Sequence, residues 1–307
     1  MKNKGADYIW FDGKFIEWEK ALIPINTHAL HYGTSIFEGI RAYKSNNNLH
    51  IFKLKEHMER LFRSASIYSI KINHTLDELV DSTVQLLRKV NMRESCYIRP
   101  LSFVGVHGID LNVNYESPTH TLIIVFPFAK YFNTEGIRVG VSSWRRIHDS
   151  STPPIAKSGG NYLNSILATQ ECKRNGYDEA IMLDKNGNVS EAPGENIFVI
   201  KNKTIFTPDM ASSILEGITR DTVIELAEDL GYSIIQRPIL RSELYVAEEI
   251  FLTGTAAEII GVISVDGRNI GNGKEGPITN KIRNTYNEIV TYNNNNEKYK
   301  GWTTEVW

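Results

Sequence analysis

Apolar positions recur along the chain in two rhythms, and the changes of rhythm mark its elements. Tyr8-Ile9-Trp10-Phe11 and Lys14-Phe15-Ile16 are aromatic and β-branched runs on either side of Asp12-Gly13, a pairing that predicts a hairpin. From Lys53 the spacing turns helical through Leu54, Met58, Leu61, Phe62, Ala65 and Tyr68, with Arg60 and Arg63 flanking the stripe. Thr75-Leu76-Asp77-Glu78 is a capping box that opens a second helix, with Leu79, Val80, Val84, Leu87 and Val90 on one side. Tyr97 to Val104 alternates, so Tyr97, Arg99, Leu101 and Phe103 share one strand face. Thr121 to Phe126 is a continuous apolar strand bounded by Pro127, and Asn133-Thr134-Glu135-Gly136 reads as a linker.

Beyond the linker, Arg138 to Ser142 restarts a strand. Ala180 to Leu183 and Asn188 to Ser190 form a hairpin around Asn186-Gly187, and Ile250 to Ala257 is a buried strand ending in a small-residue turn. Helical spacing returns at Leu163, Ile166, Leu167 and Cys172, opened by Asn161 and Tyr162 and stopped by Gly176. It returns again at Val223, Leu226, Ala227 and Leu230, with Thr219 at the expected N-cap and Gly231 as the stop. Pro277 opens the last helix, and Trp302 is expected to tuck back onto the body after the polar stretch 293–296. The pattern predicts a mixed α+β and α/β protein of two domains: a small N-terminal α+β domain at 1–132, a linker at 133–137, and a larger domain at 138–307.

Composition narrows the function classes. At 307 residues the chain can bury two cores, and a net charge of -2 with no basic stripe argues against nucleic acid as a partner. No apolar run reaches membrane-spanning length, and the first residues reach Asp7 and Tyr8 without the apolar core of a signal peptide. Cys96 and Cys172 form no CxxC and read as reduced apolar residues of a cytoplasmic protein. His28 and His31 lack carboxylate or thiol neighbours at ligand spacing, so no metal site is expected. Gly271 to Gly276 fits GxGxxG, but it follows a short Asp266-Gly267 hairpin and not the first strand of a βαβ unit.

Candidate chemistry centres on Lys157. Thr152-Pro153-Pro154-Ile155 predicts an extended approach, and Gly159-Gly160 follow the lysine before the helix that Asn161 opens. A solvated loop lysine and a nucleophilic amine that forms Schiff bases both fit that setting. Glu191 ends a strand at the Pro193-Gly194 break. The helix start at Gly217-Ile218-Thr219 and the turn Gly254-Thr255-Ala256 each offer N–H donors to an anion. Arg60 reads either as a cleft arginine that grips an anion or as a surface arginine with a packed stem. Arg99 reads as a structural ion or a carboxylate receptor, and Thr27 to Tyr43 as a binding wall or a buried strand. One amine, one carboxylate, anion seats and an arginine together suit pyridoxal 5′-phosphate.

Six segments carry a family resemblance. Phe37-Glu38-Gly39-Ile40-Arg41, Tyr97-Ile98-Arg99-Pro100, Lys157-Ser158-Gly159-Gly160-Asn161-Tyr162, Ser190-Glu191-Ala192-Pro193-Gly194-Glu195-Asn196, Gly217-Ile218-Thr219-Arg220 and Thr253-Gly254-Thr255-Ala256 resemble, in the same order, the branched-chain amino acid aminotransferases. These are fold-type IV pyridoxal phosphate enzymes, and the resemblance implies two domains with the cofactor at their interface. It implies that Lys157 bears the cofactor and shuttles a proton, that Glu191 keeps the pyridine nitrogen protonated, and that Tyr162 bonds the phenolic oxygen. Arg60, the amides of Ile218 and Thr219, and Thr255 would take the phosphate, with Gly194, Glu195, Asn196, Leu215, Gly217 and Gly254 around the cofactor. Tyr97 and the amides of Thr255 and Ala256 would hold the substrate α-carboxylate. Tyr32, Phe37, Gly39, Tyr131 and Tyr162 would wall the side-chain pocket, and Arg99 would meet the distal carboxylate of glutamate. The implied reaction is transamination of leucine, isoleucine and valine with 2-oxoglutarate, giving branched 2-oxo acids and L-glutamate. A homo-oligomer follows, a dimer at minimum or a trimer of dimers, with the Val106 to Leu111 loop reaching the partner's site. Phe128 stands where a tryptophan often lines the pocket. A D-amino acid aminotransferase or aminodeoxychorismate lyase of the same fold, or a non-catalytic binding protein with a degenerate site, are the alternatives.

Overall fold

The computed structural model describes residues 5–45, 47–128, 131, 132, 134, 136–294 and 296–307. The expected linker at 133–137 therefore includes Asn133 and Glu135, which lie outside the described residues, as does Asn295 of the polar stretch. The chain divides into two compact units, the first being Met1–Ala129, Ala156–Gly160 and Glu288–Trp307, and the second Lys130–Ile155 and Asn161–Asn287.

The first unit holds β1 (Tyr8–Phe11), β2 (Lys14–Glu17), α1 (His28–Tyr32), β3 (Ser35–Phe37), β4 (Ile40–Ser45), β5 (Asn48–Phe52), α2 (Leu54–Ile67), α3 (Leu76–Lys89), β6 (Cys96–Val104) and β7 (Thr119–Pro127). The first hairpin forms as expected: Asp12 and Gly13 both have positive φ, 45° and 85°, the turn whose twist matches paired strands. The stretch from Thr27 to Tyr43 is neither one strand nor one wall. It breaks into α1, β3 and β4, with Gly33 in the left-handed conformation closing α1. The capping box is present in both directions, Glu78 N–H to Thr75 Oγ1 and Thr75 N–H to Glu78.

α2 buries two kinds of face. Leu54, Met58, Leu61 and Ala65 enter the core with Ile40, Ile51, Leu86, Ile98 and Ile123, where each large side chain contributes about 1.5–3 kcal/mol. His57, Arg60 and Ser64, one helical stripe away, are buried as well. That polar stripe belongs to the site.

The second unit holds β8 (Ile137–Arg145), α4 (Tyr162–Arg174), β9 (Glu179–Leu183), β10 (Asn188–Val189), β11 (Asn196–Lys201), β12 (Thr204–Thr207), α5 (Ile218–Asp229), β13 (Ser233–Gln236), β14 (Ile239–Leu240), α6 (Arg241–Leu244), β15 (Glu249–Gly254), β16 (Glu258–Val265), β17 (Arg268–Asn269) and most of α7 (Pro277–Val290). Its sheet runs in the order β13-β12-β11-β15-β16-β8-β9-β10-β14. β8 pairs in parallel with both β9 and β16, and the β15–β16 pair is an antiparallel hairpin across Thr255-Ala256-Ala257. Ile197, Val199, Ile250, Leu252, Ile260 and Val262 fill this core.

Three expectations need correction. The stripe read as the inner face of α4 is turned outward: Leu163 is 68% and Ile166 48% exposed. Small residues face inward instead, with Ala168 and Cys172 against Ala180 and Met182, so the helix lies close to its strands. The approach to Lys157 is not extended throughout, because Pro154 and Ile155 form a turn, a position proline favours. The assignment of 138–307 to one domain also fails at two stretches. Ala156–Gly160 and Glu288–Trp307 group with the first unit. There α8 (Glu297–Lys300) leads to β18 (Thr303–Glu305), which pairs antiparallel with β5, and Val306 N–H bonds the Leu49 carbonyl. Trp302 is buried, as expected, with the Lys53 ammonium over its ring at 4.5 Å.

Thr75→Ala removes one half of the capping box. The expected loss is about 1 kcal/mol, read as a lower denaturation midpoint, with Thr75→Asp retaining wild-type stability.

Candidate active site

Around Lys157 the backbone is clamped from both sides within the first unit. Its carbonyl accepts from Phe37 N–H at 3.0 Å, and Gly159 N–H donates to the Ser35 carbonyl at 2.8 Å. Lys157 N–H donates to Ser64 Oγ at 3.0 Å, tying the segment to α2. A Cβ on Gly159 would lie 2.4 Å from Ser35 Oγ, so the close approach requires glycine there. The Lys157 ammonium lies 5.3 Å from the Phe37 ring centroid.

Beside this clamp sits a fully buried carboxylate. Glu38 Oε1 accepts from Arg60 Nε at 2.7 Å, and Oε2 accepts from Arg60 Nη2 at 2.8 Å and His57 Nδ1 at 2.7 Å. Burial alone would raise the Glu38 acidity constant, but the Arg60 charge and the bonds from Arg60 and His57 outweigh it and hold the carboxyl well below the usual range. Burial pushes His57 below the usual imidazole range against the pull of Glu38, with Arg60 and Lys157 adding to the lowering.

The strand face read from the alternation of β6 is real. Tyr97 lies across Gly39, where a Cβ would meet its hydroxyl at 2.0 Å. Arg99 Nη2 donates to the Tyr97 hydroxyl at 2.9 Å, and the guanidinium lies 4.5 Å from the Phe37 ring centroid. Arg99 Nε is buried without a hydrogen-bond partner, and no acidic group pairs with Arg99 among the described residues. Phe37, Gly39, Tyr97 and Arg99 are thus brought together. Tyr32 is not part of that contact set: its hydroxyl reaches only the Ile109 carbonyl, at 3.5 Å, and its ring packs on His28.

In the second unit Glu191 is buried at the strand break. Its Oε1 meets Arg146 Nη2 at 2.8 Å, and its Oε2 accepts from Asn196 Nδ2 and Leu215 N–H, both at 3.0 Å. The first turn of α4 positions Arg146, because Ser165 Oγ accepts from Arg146 Nη1 at 3.1 Å and Asn164 Nδ2 holds the Arg145 carbonyl. Tyr162, half-buried, is the first residue of that helix. Asn196 also bonds the Leu215 carbonyl, and a Cβ at Gly217 would strike its Oδ1 at 1.9 Å. Gly217, not Thr219, is the N-cap of α5. The crowding against Asn196 admits only glycine, and Thr219 moves inside the first turn, buried. The first amides of α5 have no acceptor within the helix. Gly254 passes 3.0 Å from the Gly194 carbonyl, measured from its virtual Cβ, and Glu195 caps Gly194 N–H. Beyond lies the Thr255-Ala256-Ala257 turn, where Ala256 and Tyr131 line one cleft of about 490 Å³.

Glu38, His57, Ser64 and Arg146 received no role from sequence reasoning. Glu38 stood inside a resembling motif, and the spacing of His57, Arg60 and Ser64 on one helix was a signal in principle. Arg146 gave none, since only folding brings it to Glu191. Among the described residues no group of three or more His, Cys, Asp or Glu can hold a metal ion, and no helix is long and apolar enough to cross a membrane.

A model of the class IV amino-transferase family matches residues 35–265. The branched-chain-amino-acid aminotransferase of Escherichia coli strain K12 is 44% identical over 310 aligned positions, covering 100% of this chain and 99% of that protein. The chain belongs to the branched-chain-amino-acid aminotransferases. Solved aminotransferase structures agree: that of Thermoproteus uzoniensis with norvaline has a TM-score of 0.95 at 44% identity, covering 99% of this chain and 100% of that one. A thermophile's branched-chain amino acid aminotransferase (T.th.) complexed with N-(5′-phosphopyridoxyl)-L-glutamate has a TM-score of 0.94 at 41% identity, covering 98% and 99%. The fold is therefore the expected fold-type IV arrangement of this aminotransferase family.

The residues present fit the family's cofactor. A charge-compensated buried carboxylate suits a pyridinium partner, glycine-lined amides at α5 suit a phosphate, and a backbone-clamped lysine suits an aldehyde.

Acid should unmask the Glu38 cluster. Glu38 has a depressed folded value, so its stabilisation is complete above the ordinary carboxylate value of 4.5 and is lost as pH falls below it. Thermal melts of wild type and Glu38→Gln should therefore differ most near neutrality and converge as pH drops below about 4.5.

Proposed function

We propose that Lys157 carries the aldehyde of pyridoxal 5′-phosphate and that Glu191 keeps its ring nitrogen protonated. The reaction is transamination of branched-chain amino acids, with pyridoxal phosphate as the cofactor. The two-sided backbone clamp on Lys157 carries the assignment, because a solvated loop lysine needs no such fixing. The same-fold alternatives and the non-catalytic reading are not favoured, since relatives matched over the whole chain are branched-chain aminotransferases.

When bound, pyridoxal phosphate supplies an aldehyde that condenses with amines and a protonated ring that takes up the electron pair left by a broken Cα–H bond. Lys157, displaced by the substrate amine, accepts the Cα proton at Nζ and returns it later in the exchange. Glu191 faces its proton as a carboxylate whose charge Arg146 balances from behind. Tyr162 donates to the phenolic oxygen. Arg60, the Ile218 and Thr219 amides, and Thr255 hold the phosphate. Tyr97 and the amides of Thr255 and Ala256 hold the α-carboxylate, while Tyr32, Phe37, Gly39 and Tyr131 wall the side-chain pocket.

Glutamate and 2-oxoglutarate are the proposed second substrate pair. The support is Arg99, a half-buried cation without an acidic partner among the described residues, and the phosphopyridoxyl-glutamate bound in the related thermophile enzyme. A homodimer or larger assembly is supported by the exposed apolar residues of α4 and by Ile109 and Leu111, which stand out from the loop after β6. A cytoplasmic location accords with two free buried thiols, which burial pushes up to about 12 at Cys96 and about 11 at Cys172.

Lys157→Ala should keep its circular dichroism and melting curve while kcat falls by about a thousandfold or more. Wild-type turnover in that variant would sink the assignment. Arg99→Met should impair the 2-oxoglutarate half-reaction about thirty- to a hundredfold more than the leucine half-reaction. That is the loss of a charge-assisted bond of roughly 2–3 kcal/mol. Stopped-flow measurement of each half-reaction on one preparation checks it, and equal losses would make Arg99 a support for the whole site.

A further inference from the structure

The Glu38 cluster poses an electrostatic puzzle. A carboxylate paired with an arginine cancels the charge that would attract a phosphate, and burying it costs desolvation as well. Yet Glu38 is 0% exposed and held from three directions: Arg60 by two nitrogens, His57 by Nδ1, and its own N–H on the Pro100 carbonyl at 2.9 Å. A side-on pair of this kind fixes the plane of a guanidinium, because its N–H groups form a rigid fork. His57 lies one turn before Arg60 on the same stripe of α2, and Ser64, one turn after it, receives Lys157 N–H.

We infer that Glu38 and His57 are positioning residues for the cofactor phosphate: they set the plane of the Arg60 guanidinium before the anion arrives, at the expense of net positive charge. The inference rests on the reading of Arg60 as a phosphate ligand. Geometry and charge make opposite predictions here. If charge dominates, removing the Glu38 carboxylate tightens phosphate binding; if alignment dominates, it weakens it.

The test compares two probes on full-length apoenzyme prepared from holoenzyme: pyridoxal 5′-phosphate and pyridoxal, which lacks the phosphate. Dissociation constants are read from absorbance, and their ratio reports the phosphate contribution without any activity measurement. Glu38→Gln and His57→Leu should each lower that preference by about tenfold, with pyridoxal affinity changed no more than about twofold. His57→Asn, which can still donate to Glu38, should restore most of the preference. Arg60→Met should lower it by about ten- to a hundredfold. A preference that rises in Glu38→Gln overturns the inference, as does an equal loss for both probes, which marks a merely structural role. An unchanged preference in Arg60→Met overturns the underlying reading of Arg60 instead. Should His57→Leu fail to fold, the nearly isosteric Glu38→Gln decides the matter alone.

Discussion

A buried carboxylate is tolerated only when its charge is met, and both units of this chain are arranged around meeting one. Desolvating an unpaired carboxylate costs several kcal/mol. Glu38 is answered by Arg60 and His57 from α2, and Glu191 by Arg146, Asn196 and the Leu215 amide. Each answer recruits further structure. Arg60 requires α2 to bury a polar stripe beside its apolar one, and Arg146 requires the first turn of α4 to supply Ser165. Gly217 is glycine because Asn196 occupies the space a side chain would need.

Chemistry then inherits rigidity from charge balance. Lys157 is held at its N–H by Ser64, on the helix that answers Glu38, and at its carbonyl by Phe37, the neighbour of Glu38. The aromatic residues serve a second end: Phe37 and Tyr97 flank the Arg99 guanidinium, so one surface offers both apolar area and a cation with no acidic partner among the described residues. An apolar amino acid and an acidic one ask for those two properties in turn.

Local interactions made much of this legible beforehand. The Asp12-Gly13 hairpin, the Thr75–Glu78 capping box, the alternation of β6 and the break after Glu191 each depend on neighbours a few residues apart. Lys157, Glu191 and Arg99 were found the same way, through their local settings and resembling motifs. Where the reading failed, a distant partner overrode the local preference. Thr219 is the better N-cap by type, but Asn196 imposes Gly217. Leu163 and Ile166 are the more apolar positions of α4, but the smaller Ala168 and Cys172 let the helix approach its strands.

The chain by itself determined where helices and strands begin, which amine and carboxylate carry the chemistry, and which family it belongs to, because hydrophobic period, turn chemistry and motif order are written in contiguous residues. Only the tertiary structure decided what those groups touch. Arg146 lies 45 positions before Glu191, and the residues of β18 come from the far end of the chain to complete a sheet edge at β5. No period or motif spans such distances. Which buried charge meets which counter-charge is settled by the packing that excludes water from both.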